Sequence, residues 1–126
     1  MLYAWDIVVT AGTADKTPVE QSLPLTYGVL RRIKVKYPPG CHGLVKVKVL
    51  RLRDQLFPLN PDSWATGDAE EVSGEYDEDL TDAPYTLTFQ GSAPQTSYNH
   101  TVTVRVEVLR RREDPIVTIL RRLLGL

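Results

Sequence analysis

Residues 25–53, LTYGVLRRIKVKYPPGCHGLVKVKVLRLR, decide the fold class of this chain. Val29, Arg31, Ile33, Val35 and Tyr37 alternate with Leu30, Arg32, Lys34 and Lys36, and further on Val45, Val47 and Val49 alternate with Lys46 and Lys48. A period of two places successive side chains on opposite faces of a strand, and β-branched residues suit that pleated surface. Between the two runs, Pro38-Pro39-Gly40-Cys41-His42-Gly43 combines prolines, which cannot donate to a ladder, with glycines that accept positive φ. The stretch therefore predicts a β-hairpin with a basic face: Arg32, Lys34, Lys36, Lys46 and Lys48.

Working outward, Tyr3, Trp5, Ile7 and Val9 alternate with Ala4, Asp6, Val8 and Thr10 and predict a first strand. Residues 19–25 give a weaker one that Pro24 confines to an edge or a bulge. After Val49 the apolar parity passes to Leu50 and Leu52, as a bulge near Val49-Leu50 would cause. A turn-rich loop around Asn60–Asp68 carries Trp64, and residues 70–80 form an acidic strand or ordered loop. Tyr85, Leu87 and Phe89 mark a further strand, and Val102, Val104, Val106 and Val108 mark the clearest half-buried one. At Asp114-Pro115 the pattern becomes helical, with an N-cap, a proline at the first position and Ile116, Ile119, Leu120, Leu123 and Leu124 on one stripe. The expectation is an all-β chain: an antiparallel β-sandwich of jelly-roll type over residues 1–109, then an arginine-rich linker and short amphipathic helix or arm over 110–126.

The net charge of −1 conceals a segregation into blocks. Arg31 to Arg53 holds eight basic residues and no acidic one; Asp54 to Val104 holds ten acidic residues and no Lys or Arg; Arg105 to Leu126 holds six arginines. Such blocks attract one another, within a molecule or between copies. The basic strands lack interleaved aromatics for base stacking, so nucleic acid is the weaker expectation and meeting carboxylates the stronger. One cysteine excludes an intrachain disulfide, and Cys41-His42, adjacent in a turn with His100 remote in sequence, reads as a surface turn. The acidic run from Glu70 to Asp82 lacks the spacing of a calcium loop, and no pair in it is marked as a glycosidase acid pair. No cofactor, metal or small-molecule substrate is expected, and no apolar run approaches the length of a membrane span. Met1 to Thr10 has no basic flank or small-residue cleavage site of an export signal, and Asn99-His100-Thr101 then reads as an accidental glycosylation pattern.

The segments LTYGVLRRIKVKYPPGCHGLVKVKV, FPLNPDSWATGD and APYTLTFQGSAPQTSYNHTVTVRVEVL, in this order, resemble a group of small, mostly uncharacterised proteins encoded among the structural genes of tailed bacteriophages. The likeness spans about Val8 to Leu109 and carries no catalytic motif; the arginine-rich tail has no counterpart in it. It implies a virion component, a capsid decoration or other head-associated protein. Its partners would be further copies of itself and the major capsid protein. The self- or capsid-binding candidates are Arg32, Lys34, Lys36, Lys46 and Lys48 with Arg110, Arg111, Arg112, Ile116, Ile119, Leu120 and Leu123. A carbohydrate-binding module on a host-recognition appendage is the alternative, using the acidic loop with Trp64 and Tyr98 as ring platforms.

Overall fold

The computed structural model describes residues 1–60, 62–80, 85–109 and 123–125. Among these residues nine strands form: β1 (Leu2–Val9), β2 (Val19–Leu23), β3 (Gly28–Lys36), β4 (Lys46–Arg51), β5 (Asp54–Phe57), β6 (Ala65–Thr66), β7 (Glu71–Leu80), β8 (Leu87–Ser92) and β9 (His100–Leu109). They make two antiparallel sheets, one in the order β1-β9-β3-β7 and one in the order β2-β8-β4-β5, with β6 also paired to β4. The expected helix and linker of residues 110–126 fall outside the described residues except for 123–125.

The two sheets share one hydrophobic core. Val9, Ile33, Val35, Val104 and Val106 come from the first sheet and Leu23, Val47, Val49, Leu87 and Phe89 from the second, all fully buried. Valines dominate because each strand buries a single face, where a branched side chain fills the pleat. The pairings nest: β1 with β9, β2 with β8, β3 with β7 and β4 with β5. Two further antiparallel pairs, β3 with β9 and β4 with β8, join these pairs into the two sheets.

The central stretch departs from the hairpin reading. β3 lies in the first sheet between β9 and β7, and β4 lies in the second beside β8, so the two do not pair. The connection from Tyr37 to Val45 arches across the core, with Tyr37, Cys41 and Val45 fully buried. Favoured hairpin turns span two residues, and this connection is too long and too apolar for that. Ile33 and Val35 of β3 and Val47 and Val49 of β4 thus reach the same hydrophobic core from two different sheets, whereas a hairpin would leave the strands side by side in one layer. Tyr37 anchors the arch by donating its hydroxyl to the Ala65 carbonyl of β6 at 2.7 Å. Its own N–H meets Glu70 O at 2.9 Å.

Two register shifts re-aim side chains. The pairing of β3 with both neighbours slips between Leu30 and Arg32: against β9 the exposed Arg31 is the extra residue, against β7 the extra residue falls on β7, and Leu30 turns into the core. The simple alternation, which groups Arg31 with Ile33, is corrected there. The second shift falls between Val49 and Leu50, where the sequence predicts a bulge. Its consequence differs from the expected parity: Leu52 is exposed in the β4–β5 turn at φ 55°, while Arg51 is tucked against Glu78. β2 ends one residue before Pro24 and forms an edge of its sheet, as a proline there requires.

Candidate functional site

The basic residues of the central stretch are split between opposite sheets. Arg32 and Lys34 project from the outer face of β3, where the acidic strand β7 runs beside them. Arg32 lies 3.3 Å from Glu75 and 3.9 Å from Glu107, Lys34 lies 3.9 Å from Glu71, and the bulged Arg31 lies 3.0 Å from Asp77. Arg105 on β9 completes the array at 3.7 Å from Glu71. The basic and acidic blocks thus meet within one molecule, as cross-strand neighbours. These side chains are substantially solvated, so each pair contributes only about 0–1 kcal/mol. Arg51 is better shielded: it ties the two sheets together through Glu78 at 3.2 Å and the Asp79 carbonyl at 3.0 Å. Lys36 is exposed and forms no ion pair among the described residues.

Lys46 and Lys48 lie on β4, in the other sheet. Lys46 donates to Asp15 Oδ2 at 3.1 Å, and buried Ser92 donates to Asp15 Oδ1 at 2.6 Å. The Ser92 hydrogen bond, then Lys46, hold the Asp15 carboxyl below the usual carboxylate range. The trio fastens the β1–β2 loop to the sheet, and so acid a carboxylate is a poor base. Lys48 places its ammonium 4.3 Å from the centre of the Trp64 ring, a cation–π contact that covers one face of the loop tryptophan. Tyr98 sits elsewhere, 4.7 Å from the His100 ring. Trp64 and Tyr98, the two expected ring platforms, make no ring contact with each other among the described residues.

Tyr98 and His100 belong to the end of the molecule where four loops are stitched together. Ala11 N donates to Asn99 Oδ1 at 2.9 Å, Gly12 N to Ala93 O at 2.9 Å and Gly40 N to Asp68 Oδ1 at 3.0 Å. His42 is exposed with Nδ1 3.7 Å from Asp68. Cys41 beside it is fully buried, and burial followed by the Asp68 charge pushes its thiol up in pKa. A thiol held protonated is a weak nucleophile. Among the described residues no group of three or more His, Cys, Asp or Glu side chains is placed to hold a metal ion, and no helix is long and apolar enough to cross a membrane. Of the tail residues, Arg110, Arg111, Arg112, Ile116, Ile119 and Leu120 lie outside the described residues, and Leu123 is exposed.

The sheet edges carry surfaces that the charge pattern did not disclose. On one side β7 borders β5 and β6, and an open groove of about 300 Å³ runs between them, lined by Phe57, Pro58, Leu59, Val72 and Tyr76. The Tyr76 hydroxyl bridges it by donating to the Leu56 carbonyl. On the other side is β1, with Tyr3 and Trp5 stacked at 5.8 Å and only partly buried. Alternation placed these two rings on the core-facing side; that they sit at an edge strand, half open, needed the topology. No protein-family model matches this chain, and no match to it is found among curated proteins.

Proposed function

We propose that this chain is a non-enzymatic structural protein of a tailed-bacteriophage particle. It folds as a β-sandwich of jelly-roll type and works as a capsid decoration or other head-associated subunit that binds copies of itself and the major capsid protein. The observation that supports the fold part is the nested pairing of β1 with β9, β2 with β8, β3 with β7 and β4 with β5 across two antiparallel sheets built on one core. A hairpin ribbon rolled up in this way is the jelly-roll plan, which capsid and lectin domains share. Fold alone does not choose between those uses. The sequence resemblance supports the virion reading, and Lys48 already covers one face of Trp64, the loop tryptophan of the glycan alternative.

The intramolecular pairing refines how such a subunit would bind. Arg32, Lys34 and Lys46 already meet carboxylates of their own chain, so charge complementarity acts first within the fold. Contacts with the shell then fall to Lys36, which is exposed and has no ion pair among the described residues, and to the basic segment 110–126. The test is light scattering on the purified chain, followed by co-sedimentation with purified particles of the phage that encodes it. The proposal expects an oligomer that pellets with particles. A monomer that stays in the supernatant overturns it.

A further inference from the structure

We infer that two copies of this chain pair antiparallel through their β1 strands, joining two four-stranded sheets into one continuous sheet across a two-fold axis. This rests on the proposed self-association and names the surface that performs it.

The backbone of β1 shows which groups are available. Met1 and Val108 exchange both hydrogen bonds, at 2.7 and 2.8 Å, so they are a hydrogen-bonded antiparallel pair. Such pairs alternate with non-hydrogen-bonded ones along a ladder. From the register Tyr3↔Val106, Trp5↔Val104, Ile7↔Val102 and Val9↔His100, it follows that Tyr3, Trp5, Ile7 and Val9 spend their N–H and C=O groups on β9. Leu2, Ala4, Asp6 and Val8 point theirs away from it, and β1 has no second neighbour among the described residues.

The side chains of those four residues fit a strand partner. Leu2 and Val8 are 66% and 48% exposed, Ala4 is exposed, and the single charge, Asp6, already accepts a hydrogen bond from Thr103 at 2.7 Å. The other edges are guarded. β7 is lined along its length by Glu71, Glu75, Asp77, Glu78 and Asp79, most of them paired with basic side chains of the same chain, and an added strand would have to desolvate that charged row; β2 and β5 are short, at five and four residues. Proteins protect edges by charge and shortness; β1 is long, at eight residues, and carries only Asp6, whose carboxylate is turned to Thr103 on β9.

A second copy is the occupant because the register closes on itself. Matching the free groups of Leu2, Ala4, Asp6 and Val8 with those of a two-fold mate sets Leu2 opposite Val8, Ala4 opposite Asp6, and Trp5 opposite Trp5. The exposed Leu2 and Val8 then cover each other, and the half-open Tyr3–Trp5 stack gains its symmetry mate. Sliding by one pair to set Asp6 opposite Asp6 would juxtapose like charges. An edge that complements itself under a two-fold is an isologous interface.

Sedimentation velocity on the full chain, with Trp fluorescence recorded in parallel, reads the dimer. Ala4→Pro removes a donor only from the free edge, which tolerates proline, and is expected to weaken dimerisation by about tenfold or more. Leu2→Lys and Val8→Glu alone should each weaken it similarly. Together they should restore it to within about threefold of the parent, since each lysine then faces a glutamate of the mate. If Ala4→Pro does not fold, the two exposed-face variants decide. A parent chain that remains monomeric, single variants that associate like the parent, or a double variant without rescue each overturn the β1 interface. A monomer that nonetheless pellets with particles overturns this interface alone; a β1 dimer that ignores particles supports it and counts against the virion role.

Discussion

Tyr37→Phe probes the arch that carries the chain from one sheet to the other. Tyr37 is fully buried, and its hydroxyl gives a 2.7 Å hydrogen bond to Ala65 O on β6. Phenylalanine keeps the ring and opens space for one oxygen only, so packing is nearly conserved. What is lost is the hydrogen bond, together with a partner for a buried carbonyl, which costs about 1–3 kcal/mol. At about 4 °C per kcal/mol for a domain of this size, the midpoint should fall by about 4–12 °C. Urea and thermal unfolding of parent and variant measure it, with Tyr27→Phe as the control. Tyr27 is 47% exposed, so that change should stay within about 0.5 kcal/mol. If Tyr37→Phe is as silent as the control, the residue lies in a solvated turn, and the arch described above is wrong.

Three further outcomes are expected. A Cβ on Gly67 would come within 2.5 Å of the Tyr37 ring; Gly67→Ala should cost about 1–3 kcal/mol by overpacking, read by denaturant midpoint, and an unchanged midpoint would contradict that packing. Burial raises the Tyr76 phenol to about 12 and raises Tyr37 as well, from 10.0. The unfolded chain therefore loses these protons first, and stability present below pH 10.0 should decline as pH rises toward about 12, alongside a late tyrosinate absorbance step. A Tyr37→Phe/Tyr76→Phe chain should lose part of that alkaline decline, and an unaltered pH curve would refute the assignment. Asp15→Asn removes the carboxylate held low by Ser92 and Lys46. Its cost at neutral pH should be below about 1 kcal/mol, because the group is partly solvated. That difference should vanish as pH falls below 3.8 through the folded-state value, and a gap that persists in acid would contradict it.

Strand existence was legible wherever one face is buried and the other is wet. The valine series from Val102 to Val108 fixed β9, and the parity change at Val49-Leu50 correctly marked a register shift. The partner of each strand was not legible, because alternation reports which face is buried and says nothing about the neighbour along the hydrogen-bonding direction. Pro38-Pro39-Gly40 therefore read as a hairpin turn, when Tyr37, Cys41 and Val45 make it an arch. The bulge at Arg31 was hidden for a related reason: an arginine at an apolar parity looks like a tolerated exception until both flanking ladders are seen to slip there. The charge blocks did indicate complementarity, and β7 beside β3 realises it within one chain. Edge surfaces such as β1 follow only from sheet order, which sequence spacing does not encode.

The proposed particle subunit that meets its own copies through β1 can be seen or missed in a side-chain-resolution reconstruction of the particle proposed to contain it. Density for this fold is expected on the head, with the β1 strands of neighbouring copies antiparallel and Trp5 facing Trp5 across the axis. Particles without such density would contradict the structural role, and copies joined through another edge would contradict the β1 interface.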